Sequence, residues 1–491
     1  MFRGGPLGYV TEPAKPVPVA YDLDVVVAGA GIAGMFAALA AARLGARTLL
    51  VDRFGAPGGN LGPAMVVAGG VYNEAEGTLV GGLAGIPKEM ISRLEALRGA
   101  PRPNYADESN IISYLALKMA EEAGLELLLA VWAADPIVEQ GRVGGLFVET
   151  KSGRVAVRAR VVVDATGDAD VALRAGVPLI SELPPQPAFA PLVRPELLRE
   201  EYAVWNDTGI FYLVAGVDLA AYQRFAAARA PVGEDDRAWL QERGVAGYPG
   251  PLVAPLREAW EQGAFRPTGD VEPRVHLSSP GQFTPYGSGL AGGRVNVRGE
   301  IRRNDMMQHS RLEAALRRQA FETVQFFRRH APGFERAYLL FVAPYFGARG
   351  GPFIDGEHTL TPAEAFTGQR FPDVLFRNIH EGQPVHGGEP SGFDAPYRML
   401  LPRGLDGLLV TGRGAGYLRR GHDPTGMRAR PSIMALGQAT GAAAALAARN
   451  GGSTRTLDVK ALQRLLLEEG FHLGDDARLA ELGLRPPQHD R

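Results

Sequence analysis

The sequence contains no cysteine, and that absence removes disulfides, iron–sulfur ligation, zinc–thiolate sites and any redox-active dithiol in one step. Electrons passing through this chain cannot rest on thiols, so a substrate must exchange them directly with a bound cofactor. Excess charge is missing as well. A formal net charge of -2 gives no electrostatic footprint for nucleic acid or an anionic membrane, which leaves a small molecule as the expected partner. Long apolar runs are absent too. The two most apolar segments, Gly34–Leu44 and Ile433–Ala448, consist of small residues, and Gln438 interrupts the second, so no membrane span is expected. Residues 1–20 are rich in Gly and Pro without the charged and apolar regions of a signal peptide; they read as a surface arm, and a cytoplasmic location follows. The histidines are scattered without ligand spacing, so no metal is expected.

What is present is a chain of 491 residues, 46% hydrophobic and balanced in charge, enough for a globular enzyme of two or three domains. Asp24 to Ala28 is a β-branched run entering a Gly-rich turn. Met35 to Leu44 then suits a helix packed tightly on a sheet, and Arg47 to Asp52 a second strand. Strand, turn, helix and strand within about thirty residues make one right-handed βαβ unit. After a Gly-rich loop over 55–85, Asp107 reads as the N-cap of a helix with its apolar face on Ile112, Leu115, Met119 and Ala123, closed by Gly124, and Leu125–Val131 as a strand. Val143–Thr150, Val155–Arg158 and Val161–Asp164 suggest a small antiparallel meander leading back into the parallel sheet.

The central motif is Gly29-Ala30-Gly31-Ile32-Ala33-Gly34, a G-x-G-x-x-G between strand and helix, with Asp52 and Arg53 at the end of the second strand. Gly29 permits the turn, Gly31 lets backbone approach a pyrophosphate, Gly34 brings the helix close to the sheet, and the helix N-terminus offers unpaired N–H groups to the phosphates. Asp52 is placed to accept from adenosine ribose hydroxyls. Gly58-Gly59-Asn60 can cover the pyrophosphate, and Ala165-Thr166-Gly167 can pack against the dinucleotide. Far along the chain, Leu405–Thr411 reads as a buried strand. Gly412-Arg413 and a helix opening at Ser432-Ile433-Met434 follow it, and that helix N-terminus suits the flavin C2 carbonyl.

In this order and spacing the four runs resemble the FAD-dependent oxidoreductase family whose nucleotide domain is of the glutathione-reductase type, and the resemblance extends over nearly the whole chain. It implies FAD bound extended, with the pyrophosphate on Gly29–Gly34, the ribose on Asp52, the adenine near Trp132 and Ala133, and the flavin end on Gly412, Arg413 and Ser432–Met434. The implied fold is α/β: a Rossmann-like FAD-binding domain (parallel sheet plus β-meander) with an inserted mixed α+β substrate domain. Expected boundaries are 21–177 and 401–452 for the two parts of the FAD domain, 178–400 for the substrate domain, and 453–491 for a C-terminal helix and tail. The sequence departs from the family after Arg349, where Gly350-Gly351-Pro352-Phe353 replaces a polar run, and at Arg413, where related flavoproteins carry an acid.

The expected reaction is hydride transfer between a small polar organic substrate and FAD, with the electron acceptor and the oligomeric state left open. Arg349, His358 and His422 are the candidate catalytic side chains, with Glu357, Asn304, Asp305 and His309 behind them. Arg420, Arg428 and Arg430 could hold a carboxylate or neutralise the reduced flavin. Two other readings stand beside this one: a protein or subunit that binds FAD without its own turnover, and an NAD-dependent dehydrogenase.

Overall fold

The computed structural model describes residues 8, 10–66, 79–98, 105–180, 206–227, 232–303, 305–348, 350–379, 392–417 and 426–484. Its opening third runs β1 (Val19–Ala28), α1 (Ile32–Arg43), β2 (Thr48–Val51), α2 (Gly85–Arg98), α3 (Tyr105–Glu122), β3 (Glu126–Leu128), β4 (Trp132–Glu139), β5 (Arg142–Thr150) and β6 (Gly153–Asp164). The order across the first sheet is β3-β2-β1-β6-β5-β4. Strands β3, β2, β1 and β6 are parallel, with Val25 beside Thr48 and Val161. Val25 and Val27 enter one hydrophobic core and Val26 and Ala28 the other. Burial on both faces is why this strand is continuously apolar rather than alternating.

Strand β6 is longer than the two short segments expected within it, and its length has a use. Gly153–Arg158 pairs antiparallel with β5, while Val162–Asp164 pairs parallel with a strand from much later in the chain, Leu408–Val410. One strand thus carries both the meander and the closing edge of the parallel sheet. Other expectations shift at their ends. Val19 already pairs with Ala156, so the expected arm gives way to strand at its last residues. Asp107 lies inside the first turn of α3 rather than at its cap, where a carboxylate still opposes the helix dipole. Helix α2 starts where the loop over 55–85 was expected to end.

The second sheet comprises β7 (Asn206–Ala215), β8 (Thr268–Glu272), β9 (Val275–Ser278), β10 (Thr284–Gly287), β11 (Leu290–Gly299), β12 (Tyr338–Val342) and β13 (Gly347–Ala348). All its pairings are antiparallel. The 25-residue helix α4 (Met306–His330) packs on it through Leu312, Leu316, Ala320, Val324 and Phe327, apolar residues three and four apart that form one stripe. It ends two residues before Pro332.

After β14 (Leu408–Val410), helix α5 (Arg430–Arg449) returns to the first sheet and lies against α1. Their contact is made of small residues four apart. A methyl on Gly441 would sit 1.9 Å from the Ala37 carbonyl oxygen, and one on Gly437 would sit 2.4 Å from that of Ala33. The two backbones touch, and no side chain fits between them. Helix α6 (Val459–Glu468) then covers α5, burying Leu462 and Leu466.

Candidate functional site

The site grows from the turn between β1 and α1. Gly29 has φ +103°, and a Cβ there would lie 2.4 Å from the Ala165 carbonyl oxygen; Gly34 would meet the Gly29 oxygen at 1.8 Å. These two glycines are obligatory for packing. Gly31 differs, because a Cβ on it would meet no atom within 4 Å. The backbone there is bare toward open space.

Separate segments converge on this turn. The Gly58 amide donates to the Ala30 carbonyl (2.8 Å), and Gly59 lies against Gly31, where a methyl would come 2.7 Å from its Cα. Ala165 packs under Gly29 and Gly34, its amide donating to the Ala28 carbonyl. A methyl on Gly412 would touch the Ala33 side chain at 3.1 Å. Asn60 donates to the Ala348 carbonyl (3.2 Å), tying the loop to the second sheet. The N-termini of α1 and α5 both lack a side-chain cap and have no acidic residue in the first turn. Helices α4 and α6, by contrast, are capped by Asp305 and Asp458. Two bare helix N-termini beside a glycine cradle suit a polyanion.

Asp52, at the end of β2, receives the amides of Ala30 and Phe54 (2.7 Å for the latter). Burial raises its pKa, and the two amides only partly offset that. Each carboxylate oxygen keeps a lone pair, so Asp52 can hold the turn and still accept from a ribose hydroxyl. Arg53 stacks over Phe54, Trp132 and Tyr345 at 4.7, 5.5 and 5.5 Å, and Phe54 lies flat on Tyr345 at 4.0 Å. Trp132 is 43% exposed and offers an aromatic face next to this group. Ala133 gives its carbonyl to Arg174.

The run from Asp164 to Asp170 holds three carboxyls with different tasks, that of Asp164 buried and the other two partly so. Asp164 accepts from the Thr166 amide and hydroxyl and from the Ala172 amide (3.0, 2.7 and 2.9 Å), fixing the turn through Gly167; burial raises its pKa. Burial also pushes Asp168 up, but the guanidiniums of Arg303 and Arg413 outweigh it and hold the carboxyl at about 2. Both are at 3.2 Å. Partial burial, with the carboxylates of Asp168 and Asp164 nearby, pushes Asp170 up to about 6.

The expected side chains sort unevenly. Arg349, His422, Asn304 and Arg420 lie outside the described residues. His358 has its Nε2 3.3 Å from Glu364 and its ring 4.8 Å from that of Phe371. Glu364 in turn closes a capping box with Thr361 at the helix Pro362–Phe366. His358 therefore lies beside a helix cap, with a ring nitrogen facing the Glu364 carboxylate. Glu357 pairs with Arg455. Asp305 caps α4, and His309 sits 3.7 Å from Glu313. Arg413 spends its guanidinium on Asp168 and the Gly350 carbonyl. Ser432 donates to Asn378 (2.5 Å), and Met434 is buried in the core with Ile433 nearly so. A flavin at this helix end would meet their backbone. Arg430 reaches the Val66 carbonyl. Arg303 was not singled out from the sequence. Its role depends on a contact with Asp168, 135 positions away, which no local pattern announces.

Among the described residues no helix is long and apolar enough to cross a membrane, and no group of His, Asp or Glu has the arrangement of a metal site.

Comparison with known proteins bears on the same features. The chain is 31% identical over 216 residues to a thiamine thiazole synthase of Aeropyrum pernix, a match covering 40% of this chain and 73% of that protein. It is 32% identical over 160 residues to digeranylgeranylglycerophospholipid reductase 2 of Methanopyrus kandleri, covering 30% of this chain and 38% of that one. The chain thus spans well under half the length of the reductase it matches. A Thermoplasma acidophilum structure described as geranylgeranyl bacteriochlorophyll reductase-like overlaps 95% of this chain and 88% of its own, at 15% identity and a TM-score of 0.37, too loose a likeness to carry weight. The pattern of the FAD dependent oxidoreductase family matches residues 24–466, nearly the whole chain. The chain belongs to that family, and it is an FAD-dependent oxidoreductase.

Proposed function

We propose that the protein transfers a hydride between a small polar organic substrate and FAD. The observation that carries this reading is the pair of uncapped helix N-termini, α1 and α5, on the glycine turn that is open at Gly31. In this reading the amides of the first turn of α1 hold the pyrophosphate. Asp52 takes the adenosine ribose, and the exposed face of Trp132, backed by Arg53, takes the adenine. The backbone at Ser432–Met434, at the positive end of α5, stabilises negative charge on the flavin. FAD supplies the hydride chemistry when bound.

What the chain must add is orientation, exclusion of water and a proton partner. The Asp168–Arg303–Arg413 group joins the turn after β6, the segment after β11 and the loop after β14. That junction sets where a substrate can lie against the flavin end. Three of the relatives are named as reductases and one as a synthase, which supports a redox step on an organic molecule, while the direction is set by the substrate. The test is the visible spectrum of the purified protein, FAD identification after denaturation, and anaerobic titration with candidate substrates. Bleaching by one substrate class supports hydride transfer. A yellow protein that no substrate bleaches and no reductant-coupled product accompanies is a binding protein.

A further inference from the structure

Arg303 holds Asp168 and still has donor capacity left over. It stands between β11 and α4, and its side chain is only 4% exposed. Its Nε and Nη2 both face Asp168, at 3.5 and 3.2 Å. A guanidinium is planar, so the edge that carries Nη1 points away from that carboxylate. Nη1 is buried and has no hydrogen-bond partner among the described residues. Leaving a charged donor buried and unpaired costs about 1–3 kcal/mol or more, which favours an acceptor beside Nη1 in the working protein. The face of the guanidinium is closed by the Phe346 ring, 4.9 Å away. The Asp168 side is closed by Gly351, where even a methyl would come 2.6 Å from the carboxylate.

Two more features define what that group is. Arg53, Arg303 and Arg413 all act on Asp168, and the neighbouring carboxyl of Asp170, acted on by Arg174 and Arg53, adds a second acid, so the locus is a cluster of interlocked charges. It also adjoins the cofactor positions, because Asp168 follows Gly167, a methyl on which would lie 2.9 Å from Arg413 Nη2. A hydroxyl or carbonyl could accept from Nη1, but a charged oxygen makes the shorter and stronger bond to a guanidinium.

We propose that Arg303 Nη1 holds an oxyanion, with Asp168 as the positioning residue that fixes the guanidinium plane. The reading rests on the FAD-dependent chemistry above only for its source of ligand. The oxyanion is a carboxylate of the substrate or a phosphate oxygen of FAD, and both accept from a guanidinium in the same way.

The experiment uses the full-length holoprotein and the variants Arg303→Gln and Arg303→Lys. Lys keeps a cation for Asp168 but cannot donate on two edges, so it preserves the fold if Gln does not. FAD content and FAD affinity are measured first, by absorbance and by fluorescence titration of the stripped protein. Perturbation of the flavin spectrum by succinate is measured next, with succinamide as the uncharged control. If the source is substrate, both variants keep FAD, and the succinate dissociation constant rises at least tenfold while succinamide stays inert. If the source is the cofactor, FAD affinity falls at least tenfold in both variants. Variants that retain FAD affinity and anion response within twofold overturn the proposal. A parent protein that never binds FAD would refute the functional reading instead, and Arg303 would then be probed by thermal stabilisation with succinate: stabilisation of the parent lost in Arg303→Lys supports the anion site, and none in the parent overturns it.

Discussion

Replacing Gly31 by Ala separates two demands that a turn glycine usually confounds, the fold's need for bare backbone and the cofactor's. At Gly31 φ is −69° and ψ −173°, a conformation open to any residue, and the added methyl meets nothing within 4 Å. Loss of chain entropy in the unfolded state should make Gly31→Ala neutral or stabilising by about 0.4–1 kcal/mol. Gly34→Ala is the contrast, because its methyl would lie 1.8 Å from the Gly29 oxygen and 2.8 Å from the Ala165 Cβ. Overpacking of that kind costs about 1–3 kcal/mol or more. Stripped of FAD, Gly31→Ala should therefore melt within about 2 °C of the parent, and Gly34→Ala clearly lower. With FAD the order changes. The pyrophosphate must approach Gly31 closely, so its methyl should cost at least tenfold in affinity, about 1.4 kcal/mol. Thermal unfolding of stripped protein and fluorescence titration with FAD give both numbers. A Gly31→Ala protein that binds FAD as tightly as the parent, or that is destabilised without FAD, would refute the reasoning.

Other outcomes follow from particular contacts. Asp168→Asn leaves Arg303 and Arg413 buried against a neutral amide and should cost about 3–5 kcal/mol at pH 7. Because the Asp168 carboxyl is held at about 2 in the fold, its contribution is present above the ordinary carboxylate pKa of about 3.9 and is lost as pH falls toward 2. Urea midpoints at pH 7, 4 and 2.5 should converge for parent and variant, and a constant gap would contradict the pairing. His358→Ala should keep FAD and turnover within twofold, while Glu364→Ala loses about 0.5–2 kcal/mol of stability with its capping box; a collapse of kcat in His358→Ala would restore that residue to the chemistry. Gly441→Val forces bulk where a methyl already overlaps the Ala37 oxygen and should cost about 3 kcal/mol or more, read as loss of soluble, FAD-binding protein.

The parts legible in the sequence are those whose cause is local. Gly29, Gly31 and Gly34 announce a turn because each lacks a side chain for its own reason, and Val25–Ala28 announces a central strand because both faces are buried. The stripe of α4 is legible for the same reason, since its periodicity is its packing. The single strand β6 is harder to read. Arg154, Arg158 and Arg160 punctuate it as though it were broken, although the strand continues because each half has a different partner. His358 shows a signal that is present but easily overlooked: Thr361-Pro362-Ala363-Glu364 has the pattern of a capping box, which gives the nearby histidine a carboxylate partner. The Asp168–Arg303–Arg413 group has no such signature. Its members lie 135 and 245 positions apart, and only the topology of the two sheets brings them together.

The double use of β6 also bears on how the chain is made. Its N-terminal portion can zip onto β5 as soon as both emerge, since they adjoin in sequence and need only a tight turn between them. Its C-terminal portion waits for β14, about 250 residues later, so that pairing carries a large loop-closure cost and comes late. Until then, during synthesis, Val162–Asp164 presents an open apolar edge, and α1 lacks the helix that will cover Ala33 and Ala37. A ribosome-bound fragment ending before residue 400 should consequently recruit chaperones and aggregate when released, and residues 408–449 complete the sheet and its covering helix like a keystone.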